Sequence, residues 1–414
     1  MKSTISRKYP TYRDDPIKGH KRWLDGKRLD DNAEGLWRVH DKLYDLSDFV
    51  KLHPGGSEWL KVTKGIDITE QFEIHHISST AEKLLPQFFV RVASLPRNYK
   101  TTFNENGFYK TLKRRVANKL DFLDHTDVAH SRFYCDFLLA TTLLLSTIAA
   151  RDNNYLIASF ASLSFMWLVV IAHNFIHQKD NWRMYIINLT LTSVHDWRVF
   201  HAMSHHLYPN SYHDLEITFF EPFLNWMPVV KTSIQKYRAW AMTPVLFSFI
   251  FAGEFYHKQK FHWDELLPLV MPAMMFYLGN APFWVVIKMW LFILFFTSFM
   301  YGLLSVNVGH HHTEVFHDGD ELESMDFGVY QLAATVDRSH IKESLFLTLT
   351  HFGHHTLHHF FPTLDHSLLP QLQETFLSTC FEFQLELREY SWWTLIVGQF
   401  QQLARTETKK INFN

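Results

Sequence analysis

Histidine is the residue type in this 414-residue chain that points most directly to chemistry. The chain has 27 histidines, and the stretch HFGHHTLHHFFPTLDH places six of them within residues 351–366. Histidine is neither a strong helix former nor a common core residue. This density therefore indicates metal ligands, and the question is which metal they bind.

Three short motifs carry the candidate ligands: HNFIH at 173–177, HAMSHH at 201–206 and HTLHH at 355–359. Spacings of three and four residues put side chains on one face of a helix, so each helix can direct several imidazoles at one point. Eight imidazoles exceed what one metal ion can bind, which predicts a two-metal centre. The eight are His173, His177, His201, His205, His206, His355, His358 and His359.

A different histidine motif lies near the N-terminus, in WRVHDKLYDLSDFVKLHPGGSEWL at 37–60. His53 precedes Pro-Gly-Gly, which forms a tight turn and lets the backbone approach a flat ligand closely. His76 lies 23 positions later, with His75 beside it, and a histidine there could close on the opposite face of the ligand. Two axial imidazoles leave haem iron no open position, so such a haem carries electrons.

The haem motif in the same chain helps to identify the metal of the two-metal centre. Imidazole suits zinc, copper, iron and nickel, and an electron donor in the same chain favours iron. A metal transporter is disfavoured because the histidine motifs lie at the ends of the apolar segments, not inside them. Asp196, Asp214 and Glu216 could orient ligand imidazoles through their second ring nitrogen.

Apolar segments supply the elements that must hold these histidines. Residues 137–150 and 155–172 predict a hairpin of two membrane-spanning helices. Three further apolar blocks occupy 239–253, 266–287 and 289–306. If the histidine motifs share one membrane face, the number of crossings must be even, so we expect four.

One of the three later blocks must then fail to cross, and Pro268 and Pro272 make 266–287 the first candidate. Residues 106–123 predict a basic amphipathic helix. It could lie on an anionic membrane surface or serve as a solvated linker, and the sequence favours neither.

Composition narrows the classes of function. With 40 Lys and Arg against 42 Asp and Glu, the net charge of −2 disfavours nucleic-acid binding. Two cysteines, Cys135 and Cys380, disfavour a disulfide framework and a cysteine-ligated zinc finger, and they suit reducing cytosol. The first 30 residues carry no apolar core segment, so we expect no cleavable signal peptide.

These observations divide the chain into five predicted segments. They are a polar, loosely ordered arm (1–29), a haem-binding domain (30–97), a linker with an interfacial amphipathic helix (98–130), a membrane domain (131–390) and a C-terminal tail (391–414).

The motifs resemble known families. Residues 30–97 resemble the cytochrome b5 haem domain, through the tryptophan, HPGG and the following Gly65, Asp67 and Phe72. The three histidine motifs and the FP after the third resemble the membrane fatty acid desaturases and hydroxylases. Residues 30–390 together resemble the cytochrome b5-fused fatty acid desaturases, and most closely the insect proteins called cytochrome b5-related.

The resemblance implies an α+β cytochrome b5-like domain followed by an all-α polytopic membrane domain of about four helices with a di-iron cap. It makes His53 and His76 the haem ligands and the eight motif histidines iron ligands. A ninth ligand is expected in an N-x-x-x-H arrangement after the last crossing. Asn307 and His311 fit it, with His310 and His312 as competitors.

The implied activity is an oxygen-dependent desaturation of a lipid acyl chain, with haem b relaying electrons to two non-haem irons. The implied partners are the bilayer, the acyl substrate, dioxygen and a separate NAD(P)H-dependent cytochrome b5 reductase. The implied location is the endoplasmic reticulum membrane, with haem domain and histidines on the cytosolic face. A lipid hydroxylase and a non-catalytic, membrane-anchored haem carrier are the alternatives.

Two positions depart from the front-end desaturases, which an N-terminal cytochrome b5 domain usually marks. Those enzymes have HDxGH as the first motif and glutamine opening the third. Here Asn174 and Ile176 stand in the first motif, and His355 opens the third. The ligand positions are kept, but front-end specificity does not transfer.

Overall fold

The computed structural model describes residues 3–16, 18–256 and 261–413. The N-terminal domain (residues 20–97) has a three-stranded antiparallel sheet in the order β1–β2–β3, with four short helices around it. These elements are α1 (His20–Asp30), β1 (Trp37–Val39), β2 (Lys42–Tyr44), α2 (Ser57–Val62), α3 (Thr69–His75), α4 (Thr80–Leu84) and β3 (Phe89–Val92).

The helix predicted at 106–123 forms as α5 (Phe108–Lys119), and one face of it is buried against the protein. Lys113 and Lys110 form ion pairs with the buried Glu73 of the N-terminal domain, at 2.8 and 2.9 Å. Arg115 pairs with Glu382 at 2.5 Å on the other side. The basic residues therefore join the two domains, and their charges are satisfied within the protein.

Two long helices follow and form the predicted hairpin, α6 (Thr126–Arg151) and α7 (Tyr155–Ile176). Asn154 begins α7 by accepting hydrogen bonds from two backbone amides of its first turn. With residues 283–306, these are the three helices among the described residues that are long and apolar enough to cross a membrane.

The later apolar blocks differ from the prediction. Block 239–253 becomes α10 (Ser233–Phe247) and α11 (Ile250–Tyr256). These pack at the end of the bundle where α13 (Phe283–Tyr301) finishes, and Ser298 of α13 donates to the Phe247 carbonyl at 2.7 Å.

Block 266–287, our candidate for not crossing, instead runs along the bundle. It begins as a 3₁₀ turn (Trp263–Leu269) and continues as α12 (Val270–Tyr277), which packs against α6 and α13. Gly279 then lies against the Thr147 backbone, near the end of α6. Pro268 and Pro272 shorten this helix, because proline lacks the amide hydrogen, and α12 is not among the three described helices that are long and apolar enough to cross a membrane.

The remaining elements form a cap (residues 177–232 and 302–390) over the ends of α7 and α13. Its helices are α8 (Val194–Trp197), a π-helix (Arg198–His205), α9 (Leu215–Thr218), a second π-helix (Gly302–Val306), α14 (Phe327–Ala334), α15 (Leu345–Thr350), α16 (His355–Phe360) and α17 (Gln373–Glu382). Two short parallel strand pairs and a last helix complete the fold: β4 (Glu321–Leu322), β5 (Asp337–Arg338), β6 (Glu389–Tyr390), α18 (Trp392–Ala404) and β7 (Lys410–Ile411), with β4 beside β7 and β5 beside β6.

The N-terminal arm is packed, where the sequence predicted a loosely ordered segment. Ser3 donates to Asp318 of the cap at 2.7 Å, and Arg13 forms a 2.5 Å ion pair with Glu221. The indole of Trp23, on α1, donates to the His213 carbonyl at 2.8 Å. Polar composition misled the prediction because these side chains find partners in the cap.

Glu73 should be the most sensitive ion-pair residue of the domain junction. Burial would raise its pKa, but the hydrogen bond from His40 and the charges of Lys113 and Lys110 hold it well below its usual range. We expect Glu73→Gln to cost about 3–5 kcal/mol, because it leaves two buried lysines with only the partly exposed Glu82, at 3.4 Å, as a close partner, and to lower the thermal midpoint of detergent-purified protein. Its contribution is complete above the unfolded-state pKa and is lost as the pH falls through the folded-state pKa.

The matched control is Glu105→Gln, which removes a carboxylate that is 77% exposed beside the same helix. An exposed pair contributes about 0–1 kcal/mol, so this midpoint should barely move. Equal midpoints for the two variants would contradict a structural role for Glu73.

Candidate metal and haem sites

Nine buried histidines of the cap and of α7 form two adjacent groups. Site 1 brings together the first motif, two histidines of the second and one of the third, with donor atoms within 4.8 Å of one another: His173, His177, His201, His206 and His358. The Nε2 atom of His173 lies 2.6 Å from that of His201 and 3.0 Å from that of His177.

Site 2 contains the other predicted motif histidines and one more. His205, His310 and His359 form a compact group, and the Nε2 atom of His355 lies 2.6 Å from that of His310. The two sites touch, because the rings of His206 and His359 stack at 4.2 Å. The third motif therefore supplies ligand candidates to both sites from the six-residue helix α16.

The ninth histidine is His310, not His311, which we had placed there from the N-x-x-x-H spacing. The ring of His311 stacks on Trp226 at 3.8 Å, and its Nδ1 lies 3.2 Å from His317. The backbone after the π-helix at 302–306 turns His310 towards site 2. Asn307 donates to the Gly302 carbonyl at 2.9 Å, and His312 stacks on Tyr390.

A π-helical turn explains how the second motif serves both sites. The amide of His206 donates to the carbonyl of His201, five residues earlier, at 3.0 Å. His201 and His206 therefore face site 1 together, and His205 points to site 2. An α-helical face would have sent His201 and His205 the same way. π-Turns are rare and concentrate at functional sites.

The Nδ1 atoms of five of these imidazoles have partners outside the two sites. Glu216 lies 2.5 Å from His201 and Asp214 lies 3.0 Å from His205. The other three partners are the Ala334 carbonyl for His310, Gln331 for His359 and His366 for His358. Asp214 and Glu216 were among the predicted orienting carboxylates, whereas Asp196 contacts His20.

This arrangement fits metal ions. The Nδ1 contacts fix the ring orientation and leave Nε2 facing inward, as in metal sites with a structured outer shell. The buried Nε2 atoms of His358 and His359 have no hydrogen-bond partner, and an unpaired buried donor or acceptor costs about 1–3 kcal/mol. Two iron ions bound by the nine Nε2 atoms would remove that cost.

Electrostatics supports the same conclusion. Burial and the neighbouring imidazoles hold the pKa values of His206, His310 and His359 well below the usual histidine value, which favours the neutral ligand form. Burial would also lower the pKa of His205, but Glu216 and Asp214 raise it to about 9. These two carboxylates would offset the positive charge of a bound cation.

The haem pocket is a separate cavity of about 430 Å³ in the N-terminal domain. The rings of His53 and His76 face each other across it, with centroids 6.2 Å apart. The Nδ1 atom of His53 lies 2.9 Å from the Gly56 carbonyl and that of His76 lies 3.0 Å from the Phe72 carbonyl. Both Nε2 atoms are thus left for an axial bond to haem iron.

His75, the alternative axial ligand, has a different environment. Its ring packs edge-on against Trp59 at 5.3 Å, and its Nε2 is buried without a partner. Burial and the adjacent His76 lower its pKa to about 3. The geometry therefore favours His76 over His75 as the second ligand.

The haem pocket and site 1 share a wall. The cavity that His53 and His76 enclose is also lined by His177 of site 1 and by Gln178 and Lys179 after it. Arg198 of the cap holds the domains together by pairing with Glu58 at 3.2 Å and with Asp180 at 2.7 Å. Gly56 of the HPGG turn (φ +114°) lies against Asp180, where a Cβ atom would meet the carboxylate at 2.6 Å.

Comparison with known proteins identifies the family. The family model for fatty acid desaturases matches residues 154–391, more than half of the chain. The chain belongs to the fatty acid desaturase family. A second model, the cytochrome b5-like heme/steroid binding domain, matches residues 23–94. The chain is therefore a fused cytochrome b5 and desaturase protein, as the resemblance implied.

Relatives support the same assignment. The chain is 42% identical to a cytochrome b5-related protein of Drosophila melanogaster over 98% of its own length and 96% of the relative. It is 50% identical to a Drosophila virilis protein of that name over 30% of its own length and 86% of the relative. It is 28% identical to a probable Delta(5) fatty acid desaturase C of Dictyostelium discoideum over 45% of each chain. No solved structure matches significantly.

These findings confirm the predicted fold class and cofactors. The cytochrome b5 domain implies a haem, and the desaturase family implies a di-iron centre, for which sites 1 and 2 offer buried histidines. The desaturase domain makes the chain an oxidoreductase that acts on fatty acids. The individual ligands remain predictions.

The choice between His310 and His311 gives a direct test of site 2. We expect His310→Ala to lower non-haem iron from about two to about one per chain or less, because site 2 loses one of four imidazoles. His311→Ala, which removes the adjacent buried imidazole, is the matched control and should keep both. Iron content of purified protein measures this. Loss of iron in His311→Ala with retention in His310→Ala would reverse the assignment.

The haem ligands can be tested in the same way. His76→Ala should lose the spectrum of bis-histidine haem, because only His53 would remain as an axial ligand. His75→Ala should retain it. A bis-histidine spectrum that survives in His76→Ala and disappears in His75→Ala would identify His75 as the ligand.

Proposed function

We propose that the chain is a membrane-bound lipid acyl-chain desaturase that uses dioxygen at a di-iron centre formed by sites 1 and 2. Its own haem would relay the electrons. The observation that carries the proposal is the shared wall, where His177 of site 1 also lines the haem pocket. An electron donor and a two-metal site in contact fit an oxidation that consumes electrons and dioxygen.

In this proposal site 1 and site 2 each hold one iron through Nε2 atoms. Bound iron supplies dioxygen reduction and the oxidising power to remove hydrogen from an unactivated C–H bond. The chain's own residues fix the geometry: Glu216, Asp214 and Gln331 hold the rings of His201, His205 and His359 in place. Every one of the nine imidazoles is at most 7% exposed, which keeps bulk water away from the centre.

The electron path is short and internal. Arg198 keeps the haem pocket against site 1 through its contacts with Glu58 and Asp180. The haem, held by His53 and His76, would pass electrons one at a time across the shared wall. A separate NAD(P)H-dependent cytochrome b5 reductase would supply them from the cytosol.

The membrane supplies the substrate. Three helices are long and apolar enough to cross a bilayer, and the histidine sites lie at the cap end of α7. An acyl chain dissolved in the bilayer can therefore approach the iron centre from the bundle side. We propose the endoplasmic reticulum membrane, with cap and haem domain on the cytosolic face, where a soluble-face reductase can reach the haem.

The buried histidines argue against a non-catalytic haem carrier. Such a carrier needs only the N-terminal domain and an anchor. It gives no reason for nine imidazoles, five of them with Nδ1 partners outside the two sites, to be kept buried at this position.

The decisive experiment is expression in yeast fed deuterium-labelled fatty acids, followed by lipid mass spectrometry. Wild type should yield labelled lipids that have lost two hydrogens. His358→Ala/His359→Ala should abolish the product by removing ligands from both sites, and His53→Ala should reduce it at least about tenfold by disabling the internal relay. His354→Ala is the matched control, since this neighbouring imidazole bonds Gln373 and belongs to neither site.

The other outcomes each answer a question. Products that gain an oxygen atom would show a hydroxylase in place of a desaturase. No labelled product in the wild type, with iron absent from the purified protein, would leave the haem carrier. An unchanged yield in His53→Ala would show that electrons bypass the fused haem.

A further inference from the structure

We propose a third metal site, for a divalent zinc-like ion, at the junction of the N-terminal domain and the cap. Its ligands are His195 of α8 and His262 and Asp264 of the segment that leads into α12. Among the described residues, the donor atoms of these three side chains lie within 4.8 Å of one another. None of the three belongs to site 1 or site 2.

The three groups bring one donor atom each within 4.8 Å of the others. The Nε2 atom of His195 lies 3.4 Å from Oδ1 of Asp264. The rings of His195 and His262 stack, with centroids 4.1 Å apart and planes 23° from parallel. Two segments distant in sequence thus bring two imidazoles and a carboxylate to one place.

The outer contacts are those of a metal site. The Nδ1 atom of His195 lies 2.6 Å from Oε1 of Glu58, and Oδ2 of Asp264 accepts a 2.5 Å hydrogen bond from the Asn188 amide. His195 and Asp264 therefore each use one atom for an outer partner and keep the other for a ligand bond. Metal-binding histidines and carboxylates have this arrangement.

The ligand set selects the ion. Two imidazoles and one carboxylate suit zinc, with a fourth position open to water. Asp264 and His195 are 23% and 18% exposed, so an ion can enter from solution. A protonated His195 between Glu58 and Asp264, stacked on His262, would also make these contacts, but it would bind no zinc.

The third site lies where the haem domain meets the membrane domain. Glu58 lies on α2, directly after the HPGG turn of the haem domain, whereas the three ligands belong to the membrane domain. The same carboxylate pairs with Arg198, which closes the wall between the haem pocket and site 1. A bound zinc ion would thus fix His195 against Glu58 and hold the haem domain in its docked position.

The test is equilibrium dialysis of the purified, haem- and iron-loaded full chain against micromolar zinc sulfate, with zinc, iron and haem measured together. Wild type should take up about one zinc per chain while iron and haem stay constant. His262→Ala and Asp264→Asn should each weaken zinc binding by roughly 100-fold or more, and Glu58→Ala by about 10–100-fold through loss of the outer partner. His340→Ala, at a histidine that is 84% exposed, should change nothing.

Three results would overturn the proposal. They are no zinc in the wild type, equal zinc in wild type and both ligand variants, and zinc uptake only as iron is lost. The readout does not depend on desaturase activity, so failure of the third site and failure of the proposed function are distinguishable. Two ligand variants keep the test valid if one of them folds poorly.

Discussion

Nine imidazoles buried together are the constraint on which the rest of the structure depends. If several of them carried protons, they would repel one another in a low-dielectric interior, and if they were neutral and unligated, their ring nitrogens would lack partners. Two carboxylates, a side-chain amide and a backbone carbonyl contact the Nδ1 atoms of four of these imidazoles. Their Nε2 atoms are left facing inward, where a metal ion can bind them. The first π-helix (Arg198–His205) follows from the same need, since an α-helical turn could not divide the second motif between two sites.

Motif spacing predicted much of the candidate site, because short-range periodicity is a local property. Eight of the nine clustered histidines are those named from the sequence. The prediction of the ninth histidine was wrong by one residue. His310 and His311 are neighbours, and only the backbone direction after the second π-helix decides which ring faces site 2. Gln331 was not recognised as an orienting residue because it lies 28 residues from its partner His359, and no local signal marks it.

Hydropathy and amphipathicity were less reliable, since they say that a segment avoids water and not what covers it. The basic face of α5 fits an anionic membrane as well as it fits Glu73, and charge patterning cannot tell the two apart. Likewise 239–253 and 266–287 are similarly apolar. Only packing distinguishes them. Residues 239–253 lie beside the end of α13, whereas the proline-containing 266–287 packs along the bundle as far as the end of α6.

The shared wall has a kinetic consequence. A free electron carrier must find its acceptor by diffusion, so turnover varies with the concentration of both proteins. Here the Arg198 contacts hold donor and acceptor together, and dilution cannot slow the transfer between them. In the proposed function, the electron-transfer encounter that still depends on diffusion would be the one with an external reductase. The cap covers one side of the haem pocket. A reductase would therefore approach the haem from the opposite side, and electrons would enter and leave the haem at different edges.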